Sequence, residues 1–126
     1  MKVLLVDDED DIRKIGRMSL ESVGHFQTVL AASAAEAIEL ARLEQPDVIL
    51  MDMMMPGTDG LAALGALRSF PELRAIPVVF MTARVQRDEV EHYLRVGATG
   101  VIQKPFDPMT LPEELTRILN DAARAG

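Results

Sequence analysis

Three carboxylates, one hydroxyl and one ammonium stand out in this chain because each lies where an apolar, strand-length run ends. Val3-Leu4-Leu5-Val6 runs into Asp7-Asp8-Glu9-Asp10, Val48-Ile49-Leu50-Met51 into Asp52, Pro77–Met81 into Thr82, and Gly100–Gln103 into Lys104. Adjacent carboxylates at a strand end repel one another unless a hard cation or a shared proton offsets the repulsion. The acids after Val6 also suit the start of a helix, whose dipole favours negative charge. Taken alone they fit either reading; the other strand ends decide between them.

If all five runs are parallel strands of one open sheet, their carboxyl ends share an edge, and ligands bind at that edge where strand order reverses. Asp7, Asp8, Asp52, Thr82 and Lys104 then come together from four strands. Such a set suits phosphoryl transfer. Asp52 is an oxygen nucleophile toward phosphorus, giving an aspartyl phosphate. Asp7 and Asp8 offer hard oxygens to Mg²⁺, with Mn²⁺ a possible substitute. Thr82 and Lys104 stabilise the phosphoryl oxygens, and an ionised Asp52 needs no general base.

The elements that must position these groups alternate along the chain, which predicts an α/β domain with a parallel sheet covered on both faces. The strands are expected at Lys2–Val6, Phe26–Ala31, 47–51, Pro77–Met81 and Gly100–Gln103. A first helix is expected from about Asp11 to Val23, with Ile12, Ile15 and Leu20 or Val23 inward and Gly24 as its left-handed stop. Ser33-Ala34-Ala35-Glu36 reads as a capping box opening a second helix that buries Ala37, Ile38 and Ala41. The third is expected from Asp59 to Ser69, followed by a loop with Pro71 and Pro77, and the fourth from Gln86 to Val96, stopped by Gly97. The last starts at Thr110, with Leu111, Leu115, Ile118, Leu119 and Ala122 on one face.

Composition narrows the functional classes. With 126 residues, 48% apolar and 26% charged, the chain is expected to form one globular domain over residues 1–126. No apolar run reaches the roughly 20 residues of a membrane span, and no secretory signal is evident. Zero cysteines exclude disulfide and thiolate chemistry and fit a cytoplasmic location. A net charge of −7 argues against direct nucleic-acid binding.

Val6-Asp7-Asp8, Met51-Asp52 through Pro56 to Gly60, Met81-Thr82-Ala83 and Gln103-Lys104-Pro105-Phe106 together resemble the receiver domain of two-component response regulators, along essentially the whole chain and of the stand-alone, chemotaxis-regulator-like kind. The resemblance implies a flavodoxin-like three-layer sandwich with strand order 2-1-3-4-5 and five helices. It implies Asp52 as phosphoacceptor and Asp7, Asp8, Asp52 and the backbone carbonyl of Met54 as Mg²⁺ ligands. Thr82 and Lys104 would contact the phosphoryl group, and a cis peptide would join Lys104 to Pro105. The donor would be a histidine kinase or a histidine phosphotransfer protein, and the output a protein target bound at the face of helix four, strand five and helix five. Such a module is not an enzyme beyond its own phosphorylation and dephosphorylation. One departure concerns output: many receivers carry an aromatic in strand five, and this chain has Val101 there, which is shorter and stiffer at χ1.

Other readings fit less well. A haloacid-dehalogenase-type phosphohydrolase needs an acid two residues after its nucleophile, where this chain has Met54. A flavodoxin-like cofactor binder needs a Ser/Thr-rich loop after strand one, where this chain has acids. A receiver-like partner-binding module without phosphorylation would not need the intact acid set. Met53-Met54-Met55 reads as adaptable packing rather than a soft-metal site, given no cysteine nearby. His25 and His92 read as surface residues, Asp59 as the start of helix three, and Glu9 and Asp10 as the start of helix one.

Overall fold

A computed structural model describes residues 1–125; the last residue of the predicted domain, Gly126, lies outside them. Five strands form one parallel sheet: β1 (Lys2–Val6), β2 (Gln27–Ala31), β3 (Val48–Asp52), β4 (Val78–Thr82) and β5 (Gly100–Gln103). Their spatial order is β2-β1-β3-β4-β5, as expected, so the order reverses between β1 and β3. Two of the predicted strands lie one residue early: Asp52 and Thr82 are the last residues of β3 and β4 instead of following them. The backbone of both residues is therefore fixed within the sheet, in register with Met81 and Gln103 respectively.

The five helices are α1 (Asp10–Met18), α2 (Ala34–Glu44), α3 (Gly60–Arg68), α4 (Arg87–Arg95) and α5 (Leu111–Ala125). Alternate residues of each strand point to opposite faces, and both faces are buried. Leu4, Val6, Ile49, Met51 and Phe80 meet residues of α2 and α3, including Ala37, Ala41, Leu64 and Leu67. Val3, Leu5, Leu50, Val79 and Met81 meet Leu20, Leu111 and Leu115 on the other face. Central β3 is buried along its whole length, whereas edge strand β2 is buried only at Ala31.

The local signals behave unevenly. Ser33 accepts from the Glu36 amide, and Asp59 caps α3 by accepting from the Ala62 amide at 2.8 Å, both as the sequence suggests. Gly97 takes φ +119 after α4. Pro71 opens a short 3-10 turn, Pro71–Leu73, that buries Leu73.

The end of α1 departs from expectation. Residues Ser19–Val23 widen into a π turn, with the Gly24 amide donating to the Ser19 carbonyl at 3.2 Å. Of the two inward candidates at this end, Leu20 is fully buried while Val23 is 38% exposed, and Ile15, one turn before the π turn, is 43% exposed. Gly16 replaces Ile15 as the contact with the sheet: a Cβ there would lie 2.6 Å from Leu5 Cδ2. Gly24 is not a left-handed stop, since its φ is −87° and His25 takes +58°. Its small size is needed because a Cβ would come within 2.7 Å of Pro112 Cβ on α5.

Candidate functional site

The sheet's carboxyl edge gathers the charged residues of the sequence analysis. Asp7 immediately follows β1 and is fully buried, its amide bonded to the Ala31 carbonyl. Its two carboxylate oxygens are both used: Oδ1 accepts from the Glu9 amide at 2.9 Å, and Oδ2 meets Lys104 Nζ at 2.8 Å. Lys104 also reaches Asp52 Oδ2 at 3.3 Å, so one ammonium bridges two carboxylates from different strands. Asp52 is 5% exposed and accepts from the Met54 amide at 3.2 Å through Oδ1.

Asp8 completes the cluster from an exposed position. One carboxylate oxygen each from Asp7, Asp8 and Asp52 lies within 4.8 Å of the others, the one such potential metal-binding group among the described residues. All three donors are hard oxygens and one faces solvent, which fits Mg²⁺, an ion that binds through a few carboxylates and keeps several waters. Met54 lies at the rim and is itself 64% exposed.

The electrostatics follow from burial. Desolvation lifts the Asp52 carboxyl above the usual carboxylate range; the Met54 amide and Lys104 pull it partly back, and Asp7 adds to the rise. For Lys104, burial alone would lower the ammonium, but its hydrogen bond to Asp7 and the charge of Asp52 outweigh that and hold it above its usual value. Lys104 therefore stays cationic at the place where negative charge concentrates.

Thr82 is 2% exposed, and its hydroxyl accepts from the Arg84 amide at 3.0 Å, leaving its proton free to donate. Its carbonyl accepts from the Lys104 amide at 2.9 Å, tying the ends of β4 and β5 together. The peptide joining Lys104 to Pro105 is cis. All five residues singled out at the strand ends thus meet at one edge.

The sequence matches the response regulator receiver domain family over residues 3–116. The chain belongs to that family. It is 37% identical to protein PilH of Pseudomonas aeruginosa over 94% of this chain and 97% of that one. Response regulator Rre1 of a Synechocystis species is also 37% identical, over 94% of this chain but 52% of that protein, so the chain spans about half of that relative. Among solved structures, the chemotaxis response regulator CheY4 of Vibrio cholerae superposes with a TM-score of 0.85 at 33% identity, covering 93% of this chain and 97% of that one. Receivers are signalling modules, and the flavodoxin-like fold of this receiver is shared with those neighbours.

The remaining candidates take ordinary places. His25 and His92 are exposed on separate elements, and no helix among the described residues is long and apolar enough to cross a membrane. Met53 and Met55 are buried in the core under α3. Glu9 precedes α1 without a side-chain cap, while Asp10 pairs with Arg13 and Lys14. Val101 is half-buried and in register with Phe80, whose ring meets Tyr93 of α4 edge-on at 6.3 Å. The sequence reading overlooked Arg13, although a cation one turn after a run of acids was visible there.

Proposed function

We propose that this receiver accepts a phosphoryl group on Asp52, with Mg²⁺, from a histidine kinase or a histidine phosphotransfer protein, and signals by binding another protein. The observation that carries the reading is the ionic arrangement around Asp52: Lys104 at 3.3 Å, with Asp7 and Asp8 carboxylates within 4.8 Å. An Asp52 oxygen attacks phosphorus, the bond from phosphorus to the donor nitrogen breaks, and the imidazole leaves with the electron pair. Bound Mg²⁺ supplies charge neutralisation to the transferring oxygens.

Each protein group has a part in that step. Lys104 shifts from neutralising Asp52 to neutralising the phosphoryl group, and its anchor at Asp7 keeps it in reach. Thr82 donates its free proton to a phosphoryl oxygen. Asp7 and Asp8, with the Met54 carbonyl, are the proposed protein ligands beside Asp52. Ile12, Pro105, Phe106 and Pro108 form an apolar rim next to Lys104, a surface suited to a protein donor. Exposed Leu94 and Val96 leave an apolar edge on the α4 side, in keeping with output at the face of α4, β5 and α5. A cytoplasmic location accords with this donor class.

Intact-mass analysis after incubation with acetyl phosphate and Mg²⁺ tests the reaction. One added phosphoryl group, removed by hydroxylamine and absent in Asp52→Asn, is the expected result. A mass shift that persists in Asp52→Asn refutes the assignment.

A further inference from the structure

Arg13 and Lys14 both reach the acidic stretch that opens α1, Lys14 by a single exposed contact to Asp10 at 3.0 Å, whereas the half-buried Arg13 guanidinium forms a fork. Nη1 donates to the Asp7 carbonyl at 2.7 Å and Nη2 to Asp10 Oδ1 at 3.2 Å, with the side chain only 18% exposed. Its own amide donates to the Glu9 carbonyl at 3.1 Å. One residue therefore joins the end of β1 to the first turn of α1 and closes the loop between them.

The consequence falls on Asp8. Asp7 is fixed at its carbonyl by Arg13 and at its two carboxylate oxygens by Glu9 and Lys104. Asp8 is exposed, and its side chain makes no hydrogen bond to protein among the described residues. Its carboxylate lies close to those of Asp7 and Asp52 only because the backbone of the loop puts it there, and Arg13 holds that backbone.

We propose that Arg13 is a positioning residue for the divalent-cation site formed by Asp7, Asp8 and Asp52, acting through the shape of the Asp7–Asp10 loop. The inference rests on the proposed Mg²⁺-dependent function. Charge and geometry pull in opposite directions, which makes the two separable. A cation beside a cation site weakens binding by repulsion, so if Arg13 acted through charge alone its removal would tighten Mg²⁺. If it acts through its fork, any residue that cannot span both acceptors weakens Mg²⁺, even one that keeps the charge. Lysine is that residue: a point charge without a planar fork.

The experiment is a calorimetric Mg²⁺ titration of the wild-type chain, Arg13→Lys and Arg13→Gln, with amide shifts of Asp8 and Asp52 followed in parallel. Lys and Gln are good helix formers, so α1 should persist in both variants. Both variants should bind Mg²⁺ about tenfold more weakly, the size of effect common when a residue supporting metal ligands is changed. Phosphorylation by acetyl phosphate should need correspondingly more Mg²⁺ yet reach a near-normal rate at saturation. Arg13→Lys binding within about twofold of wild type, or either variant binding more tightly, overturns the proposal. A wild-type chain that shows no response to Mg²⁺ overturns the functional reading as well; normal wild-type binding with an unaffected Arg13→Lys overturns this inference alone.

Discussion

Asp52→Asn should make the protein more stable at neutral pH even as it removes the proposed phosphoacceptor. At an effective dielectric of about 20, Lys104 at 3.3 Å attracts the Asp52 carboxylate by roughly 5 kcal/mol. Asp7, buried and within 4.8 Å, repels it by roughly 3.5 kcal/mol. Asp8 is exposed and screened, so at the dielectric of water its repulsion is about 1 kcal/mol. The charges nearly cancel, and the desolvation of a carboxylate that is 5% exposed tips the balance against the charged form. The amide keeps an oxygen for the Met54 N–H and carries no charge to desolvate. Lys104, Asp7 and Asp8 together leave only about 0.5 kcal/mol of net attraction, against a desolvation cost of up to several kcal/mol for a buried ion. A gain of about 1–2 kcal/mol is therefore expected, or about 4–8 °C in melting temperature for a domain of this size. The sign has a pH signature. Because folding raises the Asp52 pKa, the wild type binds that proton more tightly when folded, and its disadvantage fades as pH falls through the raised Asp52 value toward the ordinary carboxylate range. Mg²⁺ should also narrow the gap, since at ten times its Kd it adds about 1.4 kcal/mol to a protein that binds it only when folded. Differential scanning calorimetry of both proteins at neutral and acidic pH, with and without Mg²⁺, checks all three statements. An Asn variant that melts below wild type at neutral pH without Mg²⁺ would refute the electrostatic argument.

Lys104→Met should cost about 3–5 kcal/mol in urea unfolding, because it strands the fully buried Asp7 without its ion-pair partner; added Mg²⁺ should restore part of the loss. Gly24→Ala should lower stability by about 1–3 kcal/mol through overpacking, since its methyl would meet Pro112 Cβ at 2.7 Å and the Leu20 carbonyl at 2.8 Å, and a thermal melt unchanged from wild type would contradict the close approach. On adding a beryllofluoride phosphoryl mimic, the largest distant amide shifts should fall on residues 83–88 of the loop before α4 and its first turn, not on β5 around Val101. In Val101→Tyr the shifts on β5 should grow, and a wild-type response centred on Val101 would count against readout through the loop.

Much of this protein was determined by local sequence. Runs such as Val48-Ile49-Leu50-Met51 identify strands buried on both faces because an all-apolar run has no solvent side to show. Ser33 and Asp59 declare helix starts because a cap needs only its own next turn. Asp7, Asp52, Thr82 and Lys104 were readable as a group because parallel strands must present their carboxyl ends at one edge, whatever the side chains do. Tertiary structure decided what depends on partners distant in sequence. Gly24 looked like a helix stop but is required small by Pro112 on α5, 88 residues away by their numbering. Ile15 sits at an inward-looking spacing yet is exposed, because Gly16, its neighbour, is the residue of α1 that packs against Leu5 of the sheet. The run of acids after Val6 separates by its place into Asp7-Asp8 at the strand end and Glu9-Asp10 at the helix start, but nothing in it tells Asp7 from Asp8. Only the folded contacts assign Asp7 to Lys104, Asp10 to Arg13 and leave Asp8 open to solvent, because a carboxylate's role is set by which donor reaches it and by how much water it has lost.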